Sequence, residues 1–137
     1  MTYTSLAPNL MVEDVEKTIA FYRDTLGFEV TARVPEEGTP VWASVTADTV
    51  SLMFQQRHSL GEELPQLVDQ PIGGTLTLYI GVDDADALYT RVRDKAHIIK
   101  EPMTTFYNAR EFYLQDPNGY ILGFSSPVAG GDLEKAQ

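Results

Sequence analysis

Arg110, Glu111 and Tyr113 place a guanidinium, a carboxylate and a phenol within four positions of one another. A carboxylate beside a phenol can perform metal-free acid–base chemistry. The same pair can instead form a structural hydrogen bond that closes a sheet, and this plainer role is the one expected. Side chains alternate along a strand, so Glu111 and Tyr113 share one face while Arg110 and Phe112 share the other. Phe112 and Leu114 make theirs the more apolar face, which should meet the helices. Glu111 and Tyr113 then look out from the opposite face.

The same alternation places Trp42, Ser44 and Thr46 opposite Val41, Ala43 and Val45, so the single tryptophan is expected on an open sheet face. Its ring offers a stacking surface for a flat ligand. Met11, Met53 and Met103 could add an adaptable lining, although filling a core is the commoner use of methionine. Other chemistry is thin. The chain has no cysteine, no glycine-rich phosphate loop and no Gly-x-Ser-x-Gly elbow. Its two histidines are His58 and His97, and neither occurs in a ligand-spaced pair. No residue is therefore assigned a catalytic role.

The elements that position these groups come in two copies. Val12-Glu13-Asp14-Val15 is echoed 70 positions later by Val82-Asp83-Asp84-Ala85. At the same offset Arg23-Asp24 matches Arg93-Asp94, Leu52 matches Leu122 and Phe54 matches Phe124. Each copy reads as βαβββ. In the first, Leu6, Leu10 and Val12 indicate a strand, and Asp14 can cap a helix by accepting from its free N–H groups. Val15, Ile19, Tyr22 and Leu26 fall on one helical face, and Gly27 suits the left-handed residue after it. Strands are expected at 28–34, 41–46 and 50–56. In the second copy Leu76, Leu78, Ile80 and Val82 alternate as a half-buried strand. Asp84 caps a helix whose face is Ala85, Tyr89, Val92 and Ala96. Strands follow at 97–101, 111–115 and 120–125, the last two joined by an Asp116-Pro117-Asn118-Gly119 turn. One domain is expected, with module 1 at 1–56, a linker at 57–73, module 2 at 74–127 and a frayed tail at 128–137. Pro8 cannot donate to a ladder, which makes the first strand an edge or a hinge.

Charge narrows the partners. Lys and Arg total 10 against 20 Asp and Glu, a net charge of −10 at pH 7. Such a surface repels a phosphate backbone, so no nucleic acid partner is expected. It attracts small cations, although acidity also simply aids solubility. The first residues lack a basic segment followed by a long apolar run, and no stretch reaches the roughly 18 apolar residues of a membrane span. A soluble cytoplasmic protein without membrane partners is expected.

The segment PNLMVEDVEKTIAFYRDTLGFEV resembles the opening of the vicinal-oxygen-chelate superfamily, which includes glyoxalase I, extradiol dioxygenases and bleomycin-resistance proteins. The closing AREFYLQDPNGYILGF looks closest to the bleomycin-resistance branch, where an Arg-Glu-Phe run precedes an Asp-Pro-x-Gly turn. The resemblance implies an α+β fold of two tandem βαβββ modules forming a cupped mixed sheet with helices outside, often in a homodimer. It implies also that the region around Pro8 can exchange between protomers. Metal-dependent members hold a divalent ion on His, Glu or Gln. Counted from the shared landmarks, those positions fall here at Ala7, Met53, Thr77 and Gly123, none of which is a strong ligand for a hard or borderline ion. No metal and no cofactor is expected.

The resemblance also places Trp42 where the resistance branch has a ring that stacks on the drug, and Tyr79 at an aromatic position of the second copy's first strand. The aromatic expected two residues before the Arg-Glu-Phe run is Asn108 here, with Phe106 and Tyr107 near enough to substitute. The candidate ligand-binding set is thus Trp42, Met53, Tyr79, Phe106, Tyr107, Glu111 and Tyr113. The function expected is metal-free sequestration of a planar, cationic, antibiotic-like compound by a homodimer. A glyoxalase-like lyase or isomerase, or a dioxygenase of the same superfamily, is the alternative, and a structural or regulatory dimer without a ligand is a third.

Overall fold

A computed structural model describes residues 1–128. Residues 129–137, most of the expected tail, lie outside the described residues. The chain divides into two compact units, 1–72 and 73–137, and each holds its own four-stranded mixed sheet. With three α-helices in all among the described residues, these are tandem βαβββ modules in an α+β fold.

In the first unit β1 (Asn9–Val12) leads into α1 (Val15–Asp24), followed by β2 (Glu29–Val34), β3 (Trp42–Ala47) and β4 (Val50–Gln56). The spatial order is β1-β4-β3-β2, with β1 parallel to β4 and the other pairs antiparallel. Asp14 caps α1 by accepting from the Lys17 amide at 3.0 Å. Gly27, at φ 80°, ends the turn that follows α1, where a left-handed residue costs glycine least. Val15, Ile19 and Tyr22 are buried on the inner face of α1, which packs on β2, β3 and β4, where Ala43, Val45, Leu52 and Phe54 are buried. The Tyr22 ring lies 4.8 Å from that of Phe54 and 5.8 Å from that of Phe28, centre to centre. Each large apolar side chain buried in this way contributes about 1.5–3 kcal/mol.

The second unit repeats the plan. It contains β5 (Thr77–Gly81), α3 (Ala85–Val92), β6 (His97–Thr104), β7 (Ala109–Gln115) and β8 (Ile121–Pro127), in the order β5-β8-β7-β6. Asp84 caps α3 through the Ala87 amide at 3.0 Å. Phe112 and Phe124 stack at 5.3 Å, and Tyr89 of α3 meets Phe112 edge-on at 5.4 Å. In the β7–β8 turn, Asp116 Oδ1 accepts from the amides of Asn118 and Tyr120, and Gly119 takes φ 95°.

Three expectations need correction. Leu6 is not part of the first strand and is 87% exposed. The ladder begins where the Pro8 carbonyl accepts from the Met53 amide at 2.9 Å, and β1 is an edge strand. The sixth strand runs past Pro102 to Thr104. Proline is tolerated there because β6 is also an edge and its register shifts between Lys100 and Met103. Finally, segment 57–73 is not a plain linker. It contains α2 (Arg57–Glu63) and a 3-10 turn at Pro65–Leu67. Leu60 is buried, and Gly61 lets Val68 close onto the helix, since a Cβ there would meet Val68 Cγ2 at 2.7 Å. Arg57 ties the segment down by donating to Glu13 at 2.7 Å and to the carbonyls of Val68 and Gln70, each at 2.8 Å. Among the described residues no helix is long and apolar enough to cross a membrane.

Candidate functional site

The registers of the two sheets place equivalent rows on the faces turned away from α1 and α3. Asn9, Met53 and Ser44 pair across β1, β4 and β3, and Tyr79, Gly123 and Tyr113 pair across β5, β8 and β7. In the next row Met11, Gln55 and Trp42 match Gly81, Ser125 and Glu111. The duplication therefore carries an indole at one position of the first module and a carboxylate at the same position of the second.

In the first module Trp42 follows the alternation. Its neighbours Ala43 and Val45 are fully buried toward α1, while Trp42 is half-buried on the other face. It lines a cleft of about 360 Å³ with Asn9, Val34, Val41, Gln55, Ser59 and Glu63. Gln55, only 4% exposed, organises the polar side of the cleft. Its carbonyl oxygen accepts from Asn9 Nδ2 at 2.9 Å, and its amide donates to Ser59 Oγ and to Glu63 Oε1, each at 3.0 Å. A buried amide satisfied on both sides is held in one orientation. Met53 is half-buried two residues before Gln55 on the same face of β4.

In the second module Glu111 is 4% exposed. Its Oε2 accepts from the hydroxyl of Tyr79, and from that of Tyr107 at 2.5 Å. The hydrogen bond to Glu111 holds the Tyr107 hydroxyl well above the usual tyrosine range, with burial and Tyr79 adding to the effect. Burial raises Tyr113 as well, with the charge of Glu111 the next cause. The Tyr113 ring covers Gly123, where an added Cβ would meet Tyr113 Cε2 at 2.5 Å. Arg110, on the helix-facing side, donates to both carboxylate oxygens of Asp86 on α3, at 2.8 and 3.0 Å. That pair holds Asp86 below its ordinary carboxylate value.

The seven sequence candidates thus fall into separate groups. Tyr79, Tyr107, Glu111 and Tyr113 converge in the second module, whereas Trp42 and Met53 share a face in the first. Phe106 is 98% exposed and touches the Tyr107 ring edge-on at 5.0 Å, outside the carboxylate cluster. Asn9, Gln55, Ser59 and Glu63 were not among the candidates. The sequence signal for Gln55 was a polar residue following Phe54 near the end of a strand. Ser59 and Glu63 carried no signal, because they lie in the segment read as a linker.

The positions that the resemblance assigns to metal ligands do not fit a divalent ion. Ala7 is exposed and precedes β1, Met53 offers a thioether, Thr77 an exposed hydroxyl and Gly123 no side chain. Among the described residues no group of three or more His, Asp or Glu is placed to share an ion. His58 is exposed beside Glu62 at 2.9 Å, and His97 is exposed on β6.

The family model of the Glyoxalase/Bleomycin resistance protein/Dioxygenase superfamily matches residues 4–124. The chain belongs to that superfamily. Solved structures of similar fold include TnmS3, an antibiotic binding protein from Streptomyces sp. CB03234, with a TM-score of 0.72 and 26% identity over 93% of this chain and 98% of that one. A glyoxalase/bleomycin resistance protein from the same strain has a TM-score of 0.67 and 27% identity, over 89% and 100% of the two chains. A protein of unknown function from Agrobacterium tumefaciens str. C58 reaches a TM-score of 0.78 at 19% identity, over 93% and 97%. At that identity the likeness is one of fold alone. The comparison with curated proteins returns no match.

Proposed function

We propose that this superfamily member sequesters a planar, cationic, antibiotic-like compound without turning it over, in the manner of a bleomycin-resistance protein. The observation that carries this reading is the Trp42 cleft, which sets the indole beside a polar wall ending in a carboxylate. A flat cation gains dispersion and cation–π attraction from the indole, together about 0.5–2 kcal/mol. The net charge of −10 adds a long-range attraction. The likeness to TnmS3 in both fold and sequence supports an antibiotic as the ligand class. Binding rather than catalysis is favoured because Glu111, the acid–base candidate, commits Oε2 to two tyrosine hydroxyls.

The test is a titration followed by Trp42 fluorescence, with proflavine as the planar cation and anthraquinone-2-sulfonate as the planar anion. Trp42 is the single tryptophan, so quenching reports on this cleft alone. Proflavine should quench saturably and bind more weakly as salt rises, because the Debye length falls from about 10 Å at 0.1 M to about 3 Å at 1 M. The anion should bind much more weakly. Calorimetric titration of Trp42→Ala should show a loss of about 1–2 kcal/mol for proflavine, the worth of one aromatic contact and its buried area. Equal binding of cation and anion, or unchanged affinity in Trp42→Ala, would overturn this reading.

A homodimer is part of the same proposal. Residues 1–8 lie outside helix and strand, Tyr3 and Leu6 among them are 91% and 87% exposed, and the strand they enter is an edge. Apolar side chains beside an open strand edge favour pairing with a second copy.

A further inference from the structure

We infer that Glu63 is the cation anchor of the Trp42 cleft and that Gln55 is the residue that positions it. The inference rests on the binding reading above and adds the group that would choose the ligand's charge. A net charge of −10 attracts any cation to the whole surface and cannot by itself place one against the indole. Glu63 is the acidic residue that lines this cleft, reaching it from the last turn of α2. Its Oε1 accepts from Gln55 Nε2 at 3.0 Å, while the other end of the same amide accepts from Asn9 at 2.9 Å. Gln55 thus acts as a rigid spacer between the edge strand and the carboxylate. A carboxylate has about four acceptor sites, so one hydrogen bond from Gln55 leaves capacity for a ligand. Pre-orientation removes part of the side-chain entropy that an exposed carboxylate otherwise loses on pairing.

The ligand class follows from the donor geometry. The preferred compound has a flat ring for Trp42 and an ammonium, amidinium or guanidinium group at its edge for Glu63. A neutral flat ring would lose the second contact, and an anion would meet repulsion.

The neighbouring Glu62 supplies the control. It lies on the same helix, pairs with His58 at 2.9 Å and does not line the cleft. Glu62→Gln and Glu63→Gln remove the same formal charge one position apart. With proflavine as the probe, Glu63→Gln should weaken binding about three- to fivefold, the scale of one partly exposed ion pair. Glu62→Gln should change it by less than about 1.5-fold, as expected of a screened charge outside the cleft. Anthraquinone-2-sulfonate should bind Glu63→Gln no worse than the parent chain. Gln55→Leu should lower the proflavine-to-anion affinity ratio without changing net charge, and adding it to Glu63→Gln should lower that ratio no further. Equal losses in the two glutamate variants would overturn the inference, because the general field would then account for binding. So would unchanged binding in Glu63→Gln while Trp42→Ala loses affinity, and that outcome would leave the binding reading intact. Absence of proflavine binding to the parent chain would overturn both.

Discussion

Adding a single methyl group at Gly123 tests how tightly the second module's open face is filled. Gly123 pairs with Tyr79 on one side and Tyr113 on the other, and it is buried. A Cβ there would lie 2.5, 2.9 and 3.0 Å from three atoms of the Tyr113 ring. Carbon atoms rest about 3.5–4.0 Å apart, so the ring must move by roughly 1 Å. Overpacking of this kind costs about 1–3 kcal/mol. Alanine recovers about 0.5–1 kcal/mol of chain entropy at an unstrained position, and Gly123 has no positive φ to forbid it. The expected net effect of Gly123→Ala is a loss of about 0.5–2 kcal/mol, measured by urea unfolding followed by circular dichroism. In a Tyr113→Ala background the obstruction is gone, and the same substitution should stabilise by about 0.5 kcal/mol. An equal penalty in both backgrounds would refute the argument, as would a Gly123→Ala chain no less stable than the parent. The result bears on function, because the Tyr113 ring occupies the space that a metal-binding carboxylate on β8 would need.

An alkaline titration at 295 nm should show Tyr107 and Tyr113 ionising later than ordinary tyrosines, whose value is 10.0. Because their folded values are raised, the stability they contribute is complete below about pH 10 and is lost as pH rises through those folded values. Glu111→Gln should return Tyr107 toward the ordinary value; titration of all seven tyrosines as one folded group near pH 10 would count against the cluster. Dialysis against zinc, nickel or iron followed by elemental analysis should find well under one equivalent per chain, since Ala7, Met53, Thr77 and Gly123 offer no carboxylate or imidazole. One equivalent retained and lost on mutation of any of these four would reverse that expectation. Light scattering at high micromolar concentration should report a dimer, and a monomer there would remove the dimer from the proposal.

The tandem plan was legible because it rests on local patterns that occur twice. Asp14 and Asp84 both cap, and Tyr22 and Val92 both lie on buried helical faces, because capping and periodicity need only a few neighbouring residues. Alternation likewise placed Trp42 opposite Ala43 and Val45, and Glu111 opposite Phe112, because strand geometry assigns sides independently of the partner strand. The α2 helix was not legible. The Gly, Pro and charge of segment 57–73 read as a linker, and what holds the helix is Leu60 in the core and Arg57 reaching to Glu13, 44 positions away. The strand expected at 97–101 runs past Pro102 to Thr104, which the edge position of β6 makes acceptable.

The composition of the chain alone settled its acidity, its lack of thiols and the identity of its single tryptophan. Its periodicity settled two βαβββ modules and the outward face of each sheet. Tertiary structure decided which polar groups meet. Tyr79, Tyr107 and Glu111 come from a strand, a turn and another strand, and they share one carboxylate oxygen through sheet register. Gln55 and Glu63 meet only because α2 folds back beside β4. Register and fold-back depend on contacts between residues distant in the chain. A side chain's face is a local property, but its partner is set by the packing of the whole module.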